Sequence, residues 1–169
     1  MDTSIVSGLV QIKDLREFLK TLNKISSANN VTIQALDADK IAGERHVRFA
    51  VKKATDAMEA HTNVANDLGV EIMRYAAGER QIEKAFSIGL HEGENSAVFV
   101  IVGEEQSLSL AVIALLEIID EKPLLDYSAS KRESIISQFN ITESEIEAVG
   151  EDKIPELVIE RVALVDMLK

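Results

Sequence analysis

The chain has 169 residues, 46% of them hydrophobic and 28% charged, a composition that fits one folded domain rather than a disordered segment. The absence of cysteine excludes disulfides, thiolate catalysis and cysteine-ligated zinc, and no apolar run is long enough to span a bilayer. The net charge of −11 lies entirely beyond residue 90, so a polyanionic partner is expected to bind the first half of the chain.

In the first half of the chain, the pattern of apolar residues predicts strands that alternate with helices. The predicted elements are, in order, a strand at 4–12, a helix at 14–26, a strand at 31–36, a helix at about 40–60, a loop at 61–67, and two short helices at 67–77 and 79–88. The helix at 40–60 has one apolar face, made by Val47, Ala50, Val51, Ala54 and Met58. Gly78 separates the two short helices. It predicts a left-handed C-cap at a corner, which either packs two helices or lets a ligand approach the backbone closely.

The second half predicts one strong strand followed mainly by helices. Its elements are a strand at 96–102, a helix at 105–119, an edge strand within 121–129, short helices at 130–139 and 142–148, and a final helix from Ile154 to the end. The helix at 142–148 begins with Thr142-Glu-Ser-Glu145, a pattern that predicts a capping box. The strand at 96–102 is apolar throughout, which predicts a central strand covered on both faces. The helix at 105–119 is apolar nearly all round, which predicts deep burial. Together the elements predict a single α/β domain over 1–169, with a small mixed or antiparallel sheet of about four strands and about seven helices.

Catalytic signatures are not recognisable in this sequence. His46, His61 and His91 lie far apart and form no metal-ligand spacing, and there is no nucleophile elbow, P-loop or dinucleotide motif. The sequence therefore predicts a protein that is not an enzyme and has no metal or cofactor. The N-terminus lacks the basic and apolar regions of a signal peptide, so a cytoplasmic location is expected.

Two surface features of the helices suggest binding. On the final helix, Ile159, Ala163 and Met167 follow each other at i, i+4 and i+8, nearly opposite a broad apolar face made by Ile154, Leu157, Val158, Val162, Leu164, Val165 and Leu168. This second stripe either packs on a neighbouring helix or is exposed to a partner.

The other feature is basic. Arg45, Arg48 and Lys52 share one face of the helix at 40–60, either as an ordinary solvated surface or as an anion-binding patch.

The order of several short motifs resembles a known family. The run from Ala65 to Ala85, with Asn66, the Glu71-Ile72 pair, Gly78 and Gln81-Ile82, is similar to the kinase-binding subunit of the KEOPS complex. This is the family of the PRPK-binding protein and its archaeal relatives, and an archaeal source is expected. Further matching segments are Asp37-Ala-Asp39, His46 ahead of Ala50, the strand at 96–102 and Val158–Leu164.

The resemblance implies a non-catalytic subunit that binds a small atypical kinase/ATPase and helps recruit tRNA through its CCA end. KEOPS makes the threonylcarbamoyladenosine modification of tRNA, and another subunit performs the transfer. On this reading Ile159, Ala163 and Met167 are expected to contact the kinase. The residues expected to contact tRNA are Asn63, Asn66, Arg74, Gly78, Arg80, Gln81, Arg45, Arg48 and Lys52, with Arg74 and Arg80 on phosphates and Gln81 on a base edge. Tyr75 is the only aromatic residue close to this corner, which departs from the aromatic platforms usual in single-strand recognition.

Two other functions remain open from the residues alone. One is a stand-alone regulatory domain that binds a small anionic ligand at the 78–82 corner. The other is an enzyme that uses a pair formed by His46 and a carboxylate.

Overall fold

The strands and α-helices follow one another in the order that the sequence predicts. The structure is a computed structural model that describes residues 1–168, in which four strands and eight α-helices are present. In chain order they are β1 Asp2–Ile12, α1 Leu15–Asn29, β2 Thr32–Asp37, α2 Glu44–Glu59, α3 Leu68–Ala76, α4 Ile82–Ala85, β3 Gly93–Gly103, α5 Glu105–Leu116, β4 Asp120–Glu121, α6 Arg132–Phe139, α7 Glu143–Val149 and α8 Ile154–Ala163. The α/β class is confirmed. The residues group into two compact units, one of residues 1–38 and 90–124 and one of residues 39–89 and 125–168. The extent of a single domain over 1–169 stays a prediction.

The first unit is built on a four-stranded antiparallel sheet in the order β2-β3-β1-β4. Residues 97–102 of β3 are at most 3% exposed, which confirms the predicted central strand. Because side chains alternate along a strand, one residue in two faces the helices of this unit, α1 and α5. The core on that face contains Val6, Val10, Ile12, Leu22, Ala97, Phe99, Ile101, Leu108, Ala111 and Leu115.

Helix α5 is less buried than its composition predicts. Leu108, Ala111 and Leu115 are buried, but Leu110 and Ile113 are 60% and 59% exposed. The prediction of deep burial was therefore wrong for the face of α5 that contains Leu110 and Ile113. The sheet covers only one face of α5, so the opposite apolar face is in solvent.

The predicted edge strand within 121–129 is reduced to the two residues of β4. These pair with Gly8 and Leu9 of β1. A Cβ atom on Gly8 would lie 2.5 Å from the carbonyl oxygen of Asp120, so only glycine allows the strands to approach this closely. Pro123 follows almost immediately and lacks the N–H group that would extend the ladder.

The second unit is helical. Its core includes Ala42, Ile135, Phe139, Ile141, Ile146, Ile154, Leu157 and Val158. The predicted inner face of α2 is buried at Val47, Ala50, Val51 and Ala54. Helix α7 begins with the predicted capping box, in which the Thr142 side chain accepts from the Glu145 N–H and the Glu145 side chain accepts from the Thr142 N–H.

Helix α8 ends earlier than predicted, and this changes which of its side chains are exposed. The α-helix stops at Ala163, and 165–167 form a 3₁₀ turn. Leu164 and Leu168 were expected on the buried face but are 40% and 43% exposed, because the helical periodicity that placed them there is interrupted.

Candidate functional site

The corner at Gly78 has the left-handed geometry that the sequence predicts. Gly78 has φ +68° and follows the last residues of α3. Its N–H donates to the Tyr75 carbonyl at 3.0 Å, and the Glu79 N–H donates to the Arg74 carbonyl at 3.1 Å, the two bonds of a Schellman cap. A Cβ atom at Gly78 would lie 3.1 Å from the Phe139 ring, so packing also favours glycine here. The corner therefore has a structural role whether or not it also binds a ligand.

A buried ion pair inside α3 fixes the loops at both ends of this helix. Arg74 Nε and Nη2 each donate to one oxygen of Glu71 at 2.9 Å, and the two side chains are 1% and 0% exposed. The Glu71 carboxylate also accepts the backbone N–H groups of Val64 and Ala65, which lie before the helix. Arg74 Nη1 donates to the carbonyls of Glu79 and Arg80, which lie after it.

The prediction that Arg74 binds a tRNA phosphate needs correction for this reason. Its guanidinium is buried and already bonded to a carboxylate and two carbonyls, so no side of it is open to a phosphate. Burial opposes the charge of both groups, but their mutual bonds prevail: they lower the pKa of Glu71 and raise the pKa of Arg74. The pair is a structural element of the site rather than a contact surface.

Beside the corner lies a groove that contains three of the predicted tRNA-binding residues. Its volume is about 400 Å³, and it is lined by Gly78, Glu79, Arg80, Gln81, Lys84, Gln138, Phe139, Asn140, Arg161, Leu164 and Leu168. Arg80, Gln81 and Lys84 are exposed. Within residues 1–168, neither Arg80 nor Lys84 forms an ion pair through its side chain. These two cations are therefore available to an anionic ligand.

Arg161 forms one wall of the groove and is held in place. It makes a bidentate pair with Glu145, at 2.8 and 2.7 Å, and also donates to the carbonyls of Phe139 and Asn140. Together with the Thr142 N–H, the Arg161 guanidinium lowers the pKa of Glu145 to about 2, so the pair is charged at neutral pH. Arg161 thus contributes shape to the groove, and its positive charge is largely neutralised.

The basic residues of α2 are exposed but paired. Arg45 contacts Glu156 at 3.4 Å, Arg48 contacts Glu44 at 2.6 Å, and Lys52 contacts Asp56 at 2.9 Å. A phosphate at this face has to compete with three carboxylates, unlike one at Arg80 and Lys84.

The two predicted asparagines lie in the loop that Glu71 anchors. Asn63 is half-buried and donates to the Ala65 carbonyl at 2.8 Å, so its amide N–H group is used within the loop. Asn66 is exposed. Because Glu71 binds this loop and Arg74 binds residues 79–80, one ion pair positions both loops.

His46 is buried, and within residues 1–168 its ring contacts backbone groups rather than a carboxylate. Its Nδ1 accepts from the Ala42 N–H at 3.0 Å, and its Nε2 lies 2.8 Å from the Ala76 carbonyl, so the neutral ring carries its proton on Nε2. Burial, which outweighs the bond to Ala76, and the positive charge of Lys131 lower its pKa to about 4. Both ring nitrogens of His46 are thus occupied by backbone groups, so His46 does not form the carboxylate pair that the enzyme alternative requires.

The predicted second stripe is covered only in part by other residues of 1–168, and its last member, Met167, lies in the 3₁₀ turn beyond α8. Ile159 is half-buried, whereas Ala163 is exposed and Met167 is 76% exposed. The segment that carries Met167 is held by Asp166, which accepts from the Tyr75 hydroxyl and pairs with Lys53 at 2.8 Å. Burial and the negative charge of Asp166 raise the pKa of Tyr75 to about 12, so the hydroxyl remains a donor. Of the two alternatives for this stripe, the exposed one applies to Ala163 and Met167.

Ile159 also lies in a second groove, between α2 and α8. It has a volume of about 540 Å³ and is lined by Glu44, Arg45, Arg48, Phe49 and Ile159. The apolar part, Phe49 and Ile159, is bordered by charged side chains, as in the centre and rim of a protein interface.

These features define a class of protein, an α/β binding protein whose buried ionisable groups serve its structure and whose open grooves and apolar strips lie at the surface. A comparison with protein families makes the assignment specific. The chain belongs to the family described as kinase binding protein CGI-121, whose sequence model matches residues 9–166. No curated protein matches the chain. Helices long and apolar enough to cross a membrane do not occur in residues 1–168.

Among the residues that the sequence analysis did not assign to the site are Glu71, which anchors the loop, and Lys84, Asn140 and Arg161, which line the groove. Glu71 and Arg74 are spaced i, i+3 on one helix, a spacing that favours an ion pair and was available in the sequence. Asn140 and Arg161 reach the groove through tertiary packing of α6 and α8, for which no local signal exists.

Proposed function

We propose that the chain is the non-catalytic kinase-binding subunit of an archaeal KEOPS complex and that it also helps recruit tRNA through the CCA end. The match to a kinase-binding family over residues 9–166 supports the kinase partner. The proposal is carried by the exposed apolar side chains Ala163, at the end of α8, and Met167, in the turn that follows, together with the groove lined by Phe49 and Ile159. Exposed apolar strips with polar borders are typical of protein-binding surfaces.

The kinase surface in this proposal consists of Ile159, Ala163 and Met167 with Phe49. Arg45 and Arg48 border the same groove, and their carboxylate partners Glu44 and Glu156 lie beside them. These two arginines therefore fit the rim of a protein interface better than they fit a phosphate site.

A charge placed on the apolar strip tests the kinase surface. The variant Ala163→Asp with Met167→Asp should bind the small atypical kinase of the same organism at least tenfold more weakly, because each carboxylate would be desolvated at the interface. Isothermal titration calorimetry measures the affinity, and circular dichroism checks that the variant is folded. Both side chains are exposed, so the free energy of unfolding should change little.

The matched control is Leu19→Asp with Leu110→Asp, which also places two carboxylates at exposed apolar positions. It should keep the wild-type affinity for the kinase. If the control loses binding and the α8 variant retains it, the kinase surface has been assigned to the wrong helix.

The tRNA surface in this proposal is the groove beside Gly78. Arg80 and Lys84 supply unpaired positive charge, Gln81 supplies an amide for a base edge, and Gly78 lines the groove at the left-handed corner. Asn66 in the loop anchored by Glu71 is a further donor. Arg45, Arg48 and Lys52 contribute less in this arrangement, since their charges are paired.

Charge reversal in the groove tests the tRNA surface. Arg80→Glu with Lys84→Glu should reduce tRNA affinity at least tenfold and lower the salt slope of log K by about 1.4, the value for two lost single-strand phosphate contacts. The measurement is filter binding at several salt concentrations, with intact tRNA and with tRNA that lacks CCA. Kinase affinity should be unchanged.

Arg48→Glu with Lys52→Glu is the control because it reverses two paired charges on α2. A smaller loss of tRNA affinity is expected for it. An equal or larger loss would move the tRNA surface from the groove to α2.

The same groove keeps the small-ligand function open as a second candidate. Its volume of about 400 Å³ falls within the range of about 300–1,000 Å³ that is usual for ligand pockets. A rise in Tm with small anionic metabolites, without any binding of kinase, would favour that function.

A further inference from the structure

The N-terminal half of β1 is an unpaired edge of the sheet. β4 pairs only with Gly8 and Leu9. Beyond them, the Lys122 N–H donates to the Ser7 carbonyl and the Leu124 N–H donates to the Ser7 hydroxyl, both at 3.1 Å. Leu124 also donates to the Lys122 carbonyl at 3.0 Å, so the chain turns tightly at Pro123 and pairing stops before Ile5.

The backbone groups left open by this turn belong to Thr3 and Ile5. In an antiparallel strand, successive residues direct their N–H and C=O groups to opposite edges. Because the Ser7 carbonyl bonds to Lys122 on the β4 side, the groups of Ile5 and Thr3 face that side as well. No other residue of 1–168 pairs with them, which leaves two N–H and two C=O groups for another strand.

A groove runs along this open edge. It has a volume of about 640 Å³ and is lined by Asp2, Thr3 and Ser4 of β1 and by Glu105, Leu108, Ser109, Val112 and Ile113 of α5. Ile113 is 59% exposed and Val112 is half-buried, so the α5 wall presents apolar surface. A strand added to β1 would place every second side chain on the α5 side of the sheet.

The charged residues that line the groove favour a basic binding partner over a second copy of this chain. Asp2 and Glu105 are exposed, and neither forms a salt bridge in the part of the chain that the structure describes. A second copy paired edge to edge would bring four such carboxylates together, which is unfavourable. A partner segment with lysine or arginine at its ends is complementary instead.

We propose that the Asp2–Val6 edge of β1 is a binding site for an extended segment of a partner protein, bound by strand addition. Backbone groups of Thr3 and Ile5 pair with the segment, its apolar side chains contact Val112 and Ile113, and its basic side chains reach Asp2 and Glu105. Five residues of strand span about 17 Å, so the segment contributes about five residues. The site uses β1 and α5 only and does not depend on the kinase or tRNA surfaces.

A designed peptide tests this site in solution. Acetyl-Lys-Thr-Ile-Thr-Val-Thr-Lys-amide places isoleucine, valine and both lysines on one face in either direction of pairing. When it is titrated into the full-length ¹⁵N-labelled protein, the amide signals of Thr3 and Ile5 should shift and their hydrogen exchange should slow. The same peptide with glutamate in place of both lysines should bind at least tenfold more weakly.

Two variants test the strand edge and the groove separately. Thr3→Pro removes one outward N–H group without removing a bond to β3, and Ile113→Lys removes apolar surface and adds repulsion. Each should weaken peptide binding at least tenfold, whereas Leu19→Lys on α1 should have no effect. The proposal is overturned if the glutamate peptide binds equally well, if the Thr3 and Ile5 amides do not respond at saturation, or if the edge mediates a dimer that Thr3→Pro dissociates.

Discussion

Arg74→Leu should lower the free energy of unfolding by about 3–5 kcal/mol, the usual loss when one partner of a buried ion pair is removed. Glu71 would remain fully buried, with only the N–H groups of Val64 and Ala65 to compensate its charge. The carbonyls of Glu79 and Arg80 would lose a donor at the same time. Urea denaturation at pH 7 gives the change in free energy.

The matched control is Arg48→Leu, which breaks an i, i+4 pair at an exposed position. That loss should be about 0.3–0.5 kcal/mol. Arg74→Lys should fall between the two, because lysine keeps the charge but lacks the planar fork that binds both oxygens of Glu71. If Arg74→Leu is as stable as the wild type but binds tRNA poorly, Arg74 contacts phosphate and the structural role assigned to it is wrong.

Acid should destabilise the fold through His46, beginning at pH values where carboxylates are still ionised. Its pKa is about 4 when folded, against 6.5 for the unfolded side chain, so the unfolded state binds more protons between these values. The stabilising contribution is complete above pH 6.5 and is lost as the pH falls towards 4. The loss amounts to about 2 kcal/mol at pH 5 and about 3 kcal/mol in total.

His46→Gln should flatten the dependence of the unfolding free energy on pH between 7 and 5. Glutamine keeps a donor for the Ala76 carbonyl but does not titrate. The lowered pKa values of Glu71 and Glu145 contribute stability that is lost only below about pH 4.5, outside this window.

His91→Gln, at an exposed position, is the control and should keep the wild-type slope between pH 7 and 5. A wild-type slope in His46→Gln would assign the acid sensitivity to another group.

The periodicity of apolar residues was sufficient to predict which residues of the central strand and of helix α2 are buried. The apolar run at 96–102 corresponds to the central strand β3, and the inner face of α2 is buried as its spacing predicts. The capping box at Thr142 and the left-handed corner at Gly78 were also predicted, since both depend on local hydrogen bonds and backbone geometry.

Periodicity did not reveal which apolar surfaces are covered. Helix α5 and the end of α8 both contain more apolar side chains than their unit can bury, so Leu110, Ile113, Leu164 and Leu168 remain exposed. An apolar residue lowers the free energy of any state that covers it, and a single sequence does not say whether a neighbour or a partner does so.

The sequence likewise did not show which of the basic side chains form ion pairs. Arg74 and Arg80 are six residues apart and equally basic, yet one is bonded to Glu71 in the interior and the other lines an open groove. Arg45, Arg48 and Lys52 of α2 are exposed as predicted, but their carboxylate partners reduce their attraction for phosphate. Only the three-dimensional neighbours distinguish these cases.

The attachment of Val64, Ala65, Glu79 and Arg80 to a single pair of side chains has a consequence for sequence variation. Surface connections usually accept insertions and deletions readily. Here the number of residues between α3 and the attached backbone groups is fixed, because Glu71 binds the N–H of Ala65 before the helix and Arg74 binds the carbonyl of Arg80 after it. Adding or deleting a residue between Ala65 and Glu79 would move one attached backbone group away from Glu71 or Arg74 and leave part of a buried charge without its partner. We therefore expect this segment to vary by substitution and not in length.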